Sequence, residues 1–228
     1  MKPKLVFRIL VDIGMTMCIL MLMTYSLIGR KTHEYLGVTM ITFFVMHNIL
    51  NIPWYKNLFK GKYTPYRIGQ TLLVLLMWLG IIGSAVCVVI LSRYVFAALP
   101  IEGGRSWART VHMFCGYWNF AIMSTHLGFN WSMIMGMGKK MFKKTSQTRI
   151  WILRGIALAI ACYGVYAFQI RQLGEYMLLK TQFVFFDFDE PLVFCILDYL
   201  AIMELFVCIG HYGSLALKKM SKPKKGNE

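Results

Sequence analysis

Apolar positions along the chain gather into six long runs, near residues 5–28, 34–59, 68–92, 107–137, 150–170 and 192–217, separated by short polar connections. Each run supplies the roughly 20 residues that a helix rising 1.5 Å per residue needs to cross a hydrocarbon core about 30 Å thick. The pattern predicts an all-α, polytopic membrane helical bundle of six transmembrane helices. The first run follows Lys2, Lys4 and Arg8, as a secretory leader would. It is too long for one, and Thr24-Tyr25-Ser26 offers no small-x-small cleavage site, so it is read as a retained anchor. The longest connection, 171–191, is too short to fold as a soluble catalytic domain.

Composition agrees with this pattern: 57% of residues are apolar, 15% are charged and the mean hydropathy is +0.55. A formal charge of +15 invites a nucleic-acid reading. Such a binder needs its basic residues on a soluble face with interleaved aromatics, whereas here they lie between membrane-length runs. Alternate connections divide the 25 basic residues unequally. One set holds 18: Lys2, Lys4 and Arg8; Lys56, Lys60, Lys62 and Arg67; Lys139, Lys140, Lys143, Lys144, Arg149 and Arg154; and Lys218, Lys219, Lys222, Lys224 and Lys225. The other set holds Arg30, Lys31, Arg93, Arg105, Arg109, Arg171 and Lys180, together with Asp187, Asp189 and Glu190. The positive-inside rule then places both termini in the cytoplasm. Cys18, Cys87, Cys115, Cys162, Cys195 and Cys208 all fall in apolar runs, and no Cys-x-x-Cys occurs. That pattern excludes a disulfide scaffold, a zinc ribbon and covalently attached c-type haem, and leaves small buried hydrophobes.

Four of the five histidines form two pairs with the same spacing, His33 with His47 and His112 with His126. Fourteen residues at 100° each fall about 40° short of four turns, so each pair faces one way along its helix with a separation of about 21 Å. The second and fourth runs point in the same direction, which brings His33 level with His112 and His47 level with His126. Two facing pairs at two depths are what two stacked bis-histidine centres require. Two imidazoles are too few for a closed zinc site, which wants about four ligands. They suffice for a porphyrin iron, whose four equatorial positions are already filled. The expected cofactors are therefore two haem b groups, with His33 and His112 on the outer iron and His47 and His126 on the inner one.

The flanking residues repeat too. Both runs read His-x3-Gly-x9-His-x3-Asn, through His33, Gly37, His47 and Asn51 and through His112, Gly116, His126 and Asn130. The preceding runs open alike, with Phe7-Arg8-Ile9 and Tyr66-Arg67-Ile68. This agreement points to duplication of a two-span unit. It gives a four-helix dihaem core over residues 5–137, two additional spans over 150–217 and a basic tail over 218–228. Glycine one turn from the ligand leaves room for a flat ring beside the backbone. Asn51 and Asn130 could bond a propionate or cap their helices. Arg109, three residues before His112, with Arg30, Lys31 and Arg105 nearby, could neutralise outer propionates, as Lys56, Arg67, Lys139 and Lys140 could at the inner edge. Snorkelling and topology account for the same residues.

The last run carries Asp198, Glu204 and His211, and ionisable groups inside a membrane are functional candidates by default. Glu204 and His211 are seven apart, nearly on one face and about 10 Å apart in depth. They could relay protons from a quinone site, or serve as polar contacts between helices. Asp12 in the first run is open to the same two readings. The acids from Asp187 to Glu190 could dock a partner or form a solvated loop.

The segments His33-Glu34-Tyr35-Leu36-Gly37, His47-Asn48-Ile49-Leu50-Asn51, Arg109 to His112 with Gly116-Tyr117-Trp118, and His126-Leu127-Gly128 with Asn130-Trp131 resemble the bacterial flavinylation-associated membrane cytochromes. The resemblance covers about residues 5–136. The spacing is also similar to the dihaem core of cytochrome b in quinol-oxidising complexes. The resemblance implies a multi-pass protein of the bacterial cytoplasmic membrane that passes electrons from the quinol pool, or another cytoplasmic-side donor, to an extracytoplasmic flavin-bearing or metal-reducing partner. This chain has no Asp-Gly-x-x-x-Gly-Ala-Thr-like flavinylation site, so any flavin sits on another protein. Gly136-Met137-Gly138 is a helix stop rather than a dinucleotide fingerprint. The expected role is an electron conduit embedded in membrane lipid, with quinol oxidation on this chain left open. Two alternatives are a histidine-lined metal or ion transporter, which should show carboxylates or broken helices at mid-depth beside the histidines, and a structural subunit of a membrane complex.

Overall fold

A segment surrounded by lipid must satisfy its own backbone N–H and C=O groups, and a helix does so locally. The computed structural model describes residues 3–99, 101, 103–141 (without the side chains of 138–141), 146–181 and 189–221, and among them helices account for all the regular structure. In chain order these are α1 (Pro3–Met23), α2 (Tyr25–Leu50), α3 (Ile52–Lys56), α4 (Pro65–Leu91), α5 (Arg105–Phe129), α6 (Trp131–Met141), α7 (Gln147–Ile170), α8 (Leu173–Met177) and α9 (Leu192–Met220). Lys2, Lys143, Lys144, Asp187, Lys222, Lys224 and Lys225, and the side chains of Lys139 and Lys140, lie outside the described residues.

Helices α1, α4, α7 and α9 are long and apolar enough to cross a membrane, so the chain is a multi-pass helical membrane protein. Helices α2 and α5 are as long, at 26 and 25 residues, but more polar. They carry Arg30, Lys31, His33 and Glu34 in one and Arg105, Arg109, His112 and Asn119 in the other.

Three of the expected runs are cut differently. The first ends at Met23 rather than near 28, where the Thr24 hydroxyl bonds the Met21 carbonyl at 2.8 Å in a tight turn. Helix α2 starts at Tyr25, breaks at Gly29, whose φ of 76° disfavours other residues, and ends at Leu50 instead of continuing to 59. Asn51 closes it, and Pro53 at the start of α3 cannot extend an incoming helix. In the same way the run over 107–137 is divided at Asn130 into α5 and α6, and α6 continues through Gly136 and Gly138 to Met141, so that glycine pair is not the expected helix stop.

Helix α1 packs on α2, α4 on α5 and α7 on α9, and α5 and α9 join these pairs. At the α5–α9 crossing a Cβ on Gly128 would collide with the Val207 carbonyl, and one on Gly210 with the Thr125 carbonyl. Small residues thus let the two backbones touch, as interfaces between membrane helices favour. Phe120, Leu173, Tyr199 and Ile202 are fully buried around this crossing. The outward faces of α4 (Leu72, Leu75, Leu79, Ile82) and α7 (Ile152, Ile156, Leu158) are exposed and apolar, suited to lipid contact. Arg8 near the start of α1 bonds the Leu50 carbonyl at the end of α2. Lys218 near the end of α9 lies 4.4 Å over the Tyr66 ring at the start of α4. All six cysteines are unpaired, and Cys162 is exposed on α7 rather than buried.

Candidate functional site

Helices α2 and α5 do not pack closely against each other; the four paired histidines lie along the space between them. At one level the His33 and His112 rings meet edge-on, with centroids 6.1 Å apart and planes at 80°. The edge of Tyr25 meets His33 at 4.9 Å. Nδ1 of both His33 and His112 is buried without a hydrogen-bond partner, an uncommon condition for a polar atom away from water. Two imidazoles bonded end-on to one metal at about 2.0 Å each have ring centres about 6 Å apart, so the observed spacing admits a metal ion between them.

At the second level His47 and His126 lie within electrostatic reach of one another. His47 Nδ1 is 2.6 Å from Asp12 Oδ1 on α1, while His126 Nδ1 is buried without a partner. Asn51 and Asn130 are the C-terminal caps of α2 and α5. Each amide donates to the histidine carbonyl one turn back, at 2.7 Å and 3.0 Å, and lies 3.3 Å from that histidine's Nε2. Each asparagine carbonyl also accepts the first bond of the following helix, from Trp54 and Met133, at 2.9 Å. Matching geometry therefore accompanies the matching sequence of the two segments. Gly37 and Gly116 both border open space, where a Cβ would meet nothing within 4 Å. Among the described residues no three His, Cys, Asp or Glu side chains converge on one point, so each level holds two imidazoles and no third group of this kind.

The other expected site residues are dispersed. Arg109 and Arg105 are exposed near the start of α5. Arg30 is committed to protein, bonding Glu34 at 3.1 Å and the Leu91 carbonyl. Arg67 bonds the carbonyls of Asn57, Leu58 and Lys60 and lies 4.5 Å over the Tyr63 ring, holding the loop before α4. On α9, Glu204 accepts from Cys208 at 3.5 Å, and His211 contacts the Tyr212 ring with its Nδ1 unpartnered. No direct hydrogen bond joins Glu204 to His211.

Two polar clusters had no distinctive local signal. Buried Glu34, next to His33, accepts from the Ser92 hydroxyl at 2.8 Å and from the main-chain N–H groups of Arg93, Tyr94 and Val95, at 2.9–3.3 Å for its closest contacts. It clasps α2 to the loop after α4. At the end of α7, Arg171 bonds both carboxylate oxygens of Glu190 and reaches Asp198, to which Tyr163 donates at 2.6 Å. Glu190 and then Asp198 stabilise the charged guanidinium and raise its pKa further. Asp198 and Glu190 thus have a structural partner in Arg171.

No protein-family model matches the chain, and no curated protein or solved structure is significantly similar to it.

Proposed function

We propose that the chain is a six-span dihaem b-type cytochrome that carries electrons across the membrane, with α2 and α5 spanning beside the four apolar helices. The observation that carries the reading is the His33–His112 pair, 6.1 Å apart on two helices that leave a space between them. The residues present fit the group. Among the described residues no side chain hydrogen-bonds the His33 or His112 ring, so neither imidazole is committed to another side chain. Gly37 and Gly116, one turn from the ligands at the first level, leave open the space that a macrocycle edge needs. Haem iron held by two imidazoles supplies one-electron redox chemistry without binding substrate.

In this reading His33 and His112 hold the first iron and His47 and His126 the second. Asn51 and Asn130 fix the helix ends that present His47 and His126, and Arg109 remains a candidate partner for a propionate. The resemblance to flavinylation-associated cytochromes extends the proposal to a bacterial cytoplasmic membrane with both termini inside. Electrons would enter from quinol or another cytoplasmic-side donor and leave to an extracytoplasmic flavin-bearing or metal-reducing partner. A transporter is less well supported, because among the described residues each level holds two imidazoles and no third His, Cys, Asp or Glu converging on them, fewer than the roughly four ligands of a closed zinc site. The test is the optical spectrum of the purified protein with a haem assay. Reduction should give b-type α-bands and about two haems per chain, and a colourless protein ends the proposal.

A further inference from the structure

The two histidine levels differ in a way that the dihaem reading by itself does not require. Asp12 on α1 lies 2.6 Å from His47 Nδ1 on α2, whereas among the described residues no carboxylate bonds the ring of His33, His112 or His126. The groups around His47 select one tautomer. An ionised carboxylate can only accept, so Nδ1 donates and Nε2 keeps its lone pair. Asn51 Nδ2 lies 3.3 Å from that lone pair. A metal at Nε2 displaces only this weak contact, because the same amide holds the His47 carbonyl at 2.7 Å. Arg8, one turn before Asp12 on the same helix face, is anchored at the Leu50 carbonyl and provides a neighbouring positive charge.

We infer that Asp12 is a positioning residue for the second metal level. It holds His47 in the tautomer that ligates through Nε2, and its bond to Nδ1–H makes the imidazole a stronger electron donor. A more basic axial ligand favours the oxidised iron, so Asp12 lowers the midpoint potential of the centre held by His47 and His126 and leaves the centre at His33 and His112 untouched. The inference rests on the dihaem reading and deepens it, giving the two centres unequal potentials through a residue that binds neither.

The experiment is a spectroscopic redox titration of the full-length protein, wild type beside Asp12→Asn, at one pH. Asp12→Asn should retain two haems, raise one midpoint and leave the other in place. The midpoint that moves should be the one that survives in His33→Ala. An altered electron paramagnetic resonance signal from a single ferric centre should accompany the shift. Two unmoved midpoints, or two that move together, overturn the inference. If Asp12→Asn loses the second haem, Asp12→Glu should restore both the haem and the wild-type midpoint, and its failure to do so also overturns the inference. A wild-type protein without haem overturns the dihaem reading itself, and that result is seen before any variant is made.

Discussion

The two levels of histidines sit on one repeated sequence pattern yet are built by different neighbours. At His33 and His112 the rings meet edge-on, and the adjoining residue Glu34 ties α2 to the loop after α4 through the Ser92 hydroxyl and three backbone N–H groups. At His47 and His126 the polar contacts are mostly within one helix, from Asn51 and Asn130 to the carbonyls one turn back, with Asp12, alone among the described carboxylates, bonded to a ligand candidate. A repeat fixes which residues share a face. The surroundings of each copy come from whichever helix packs beside it.

The double variant His33→Ala with His47→Ala should break both levels at once, giving a colourless protein in the haem assay. Each single variant should then cost one haem of two, and retention of both in either would contradict the pairing. Gly37→Leu sharpens the comparison without touching a ligand. It fills the space beside the first level, so haem content should fall towards one per chain while the centre that needs His47 persists in the reduced spectrum. Glu34→Ala should destabilise the fold by about 3 kcal/mol, because Arg30 and the backbone donors lose a buried charged partner. A lowered Tm of the purified protein measures this. The smallest effect belongs to Asn130→Ala, about 1 kcal/mol for the lost bond to the His126 carbonyl. Its Tm should fall slightly with haem content unchanged.

Much of the helical layout could be read from the chain. The four runs that became α1, α4, α7 and α9 are long and apolar enough to cross a membrane, which is what an unbroken apolar run records. The runs that became α2 and α5 are less apolar: Glu34, Asn119 and Ser124 are buried against protein, while Lys31, Arg105 and Arg109 are exposed. Span ends were harder to locate, since apolar length does not register a break. Gly29 with its positive φ, Asn51 before Pro53, and Asn130 reset the boundaries locally. The Arg171 cluster joins residues 19 and 27 apart, and the Asp12–His47 contact spans 35. No helical period connects such positions, so only the packing of separate helices reveals them.

The sequence by itself determined that this is a multi-pass helical protein and that four histidines form two pairs, each on one helix face, because helix geometry converts spacing into direction. The tertiary structure decided how those faces meet. It set His33 against His112, left α2 and α5 apart, and placed Asp12 on His47, because the distances between helices depend on side chains that are remote along the chain.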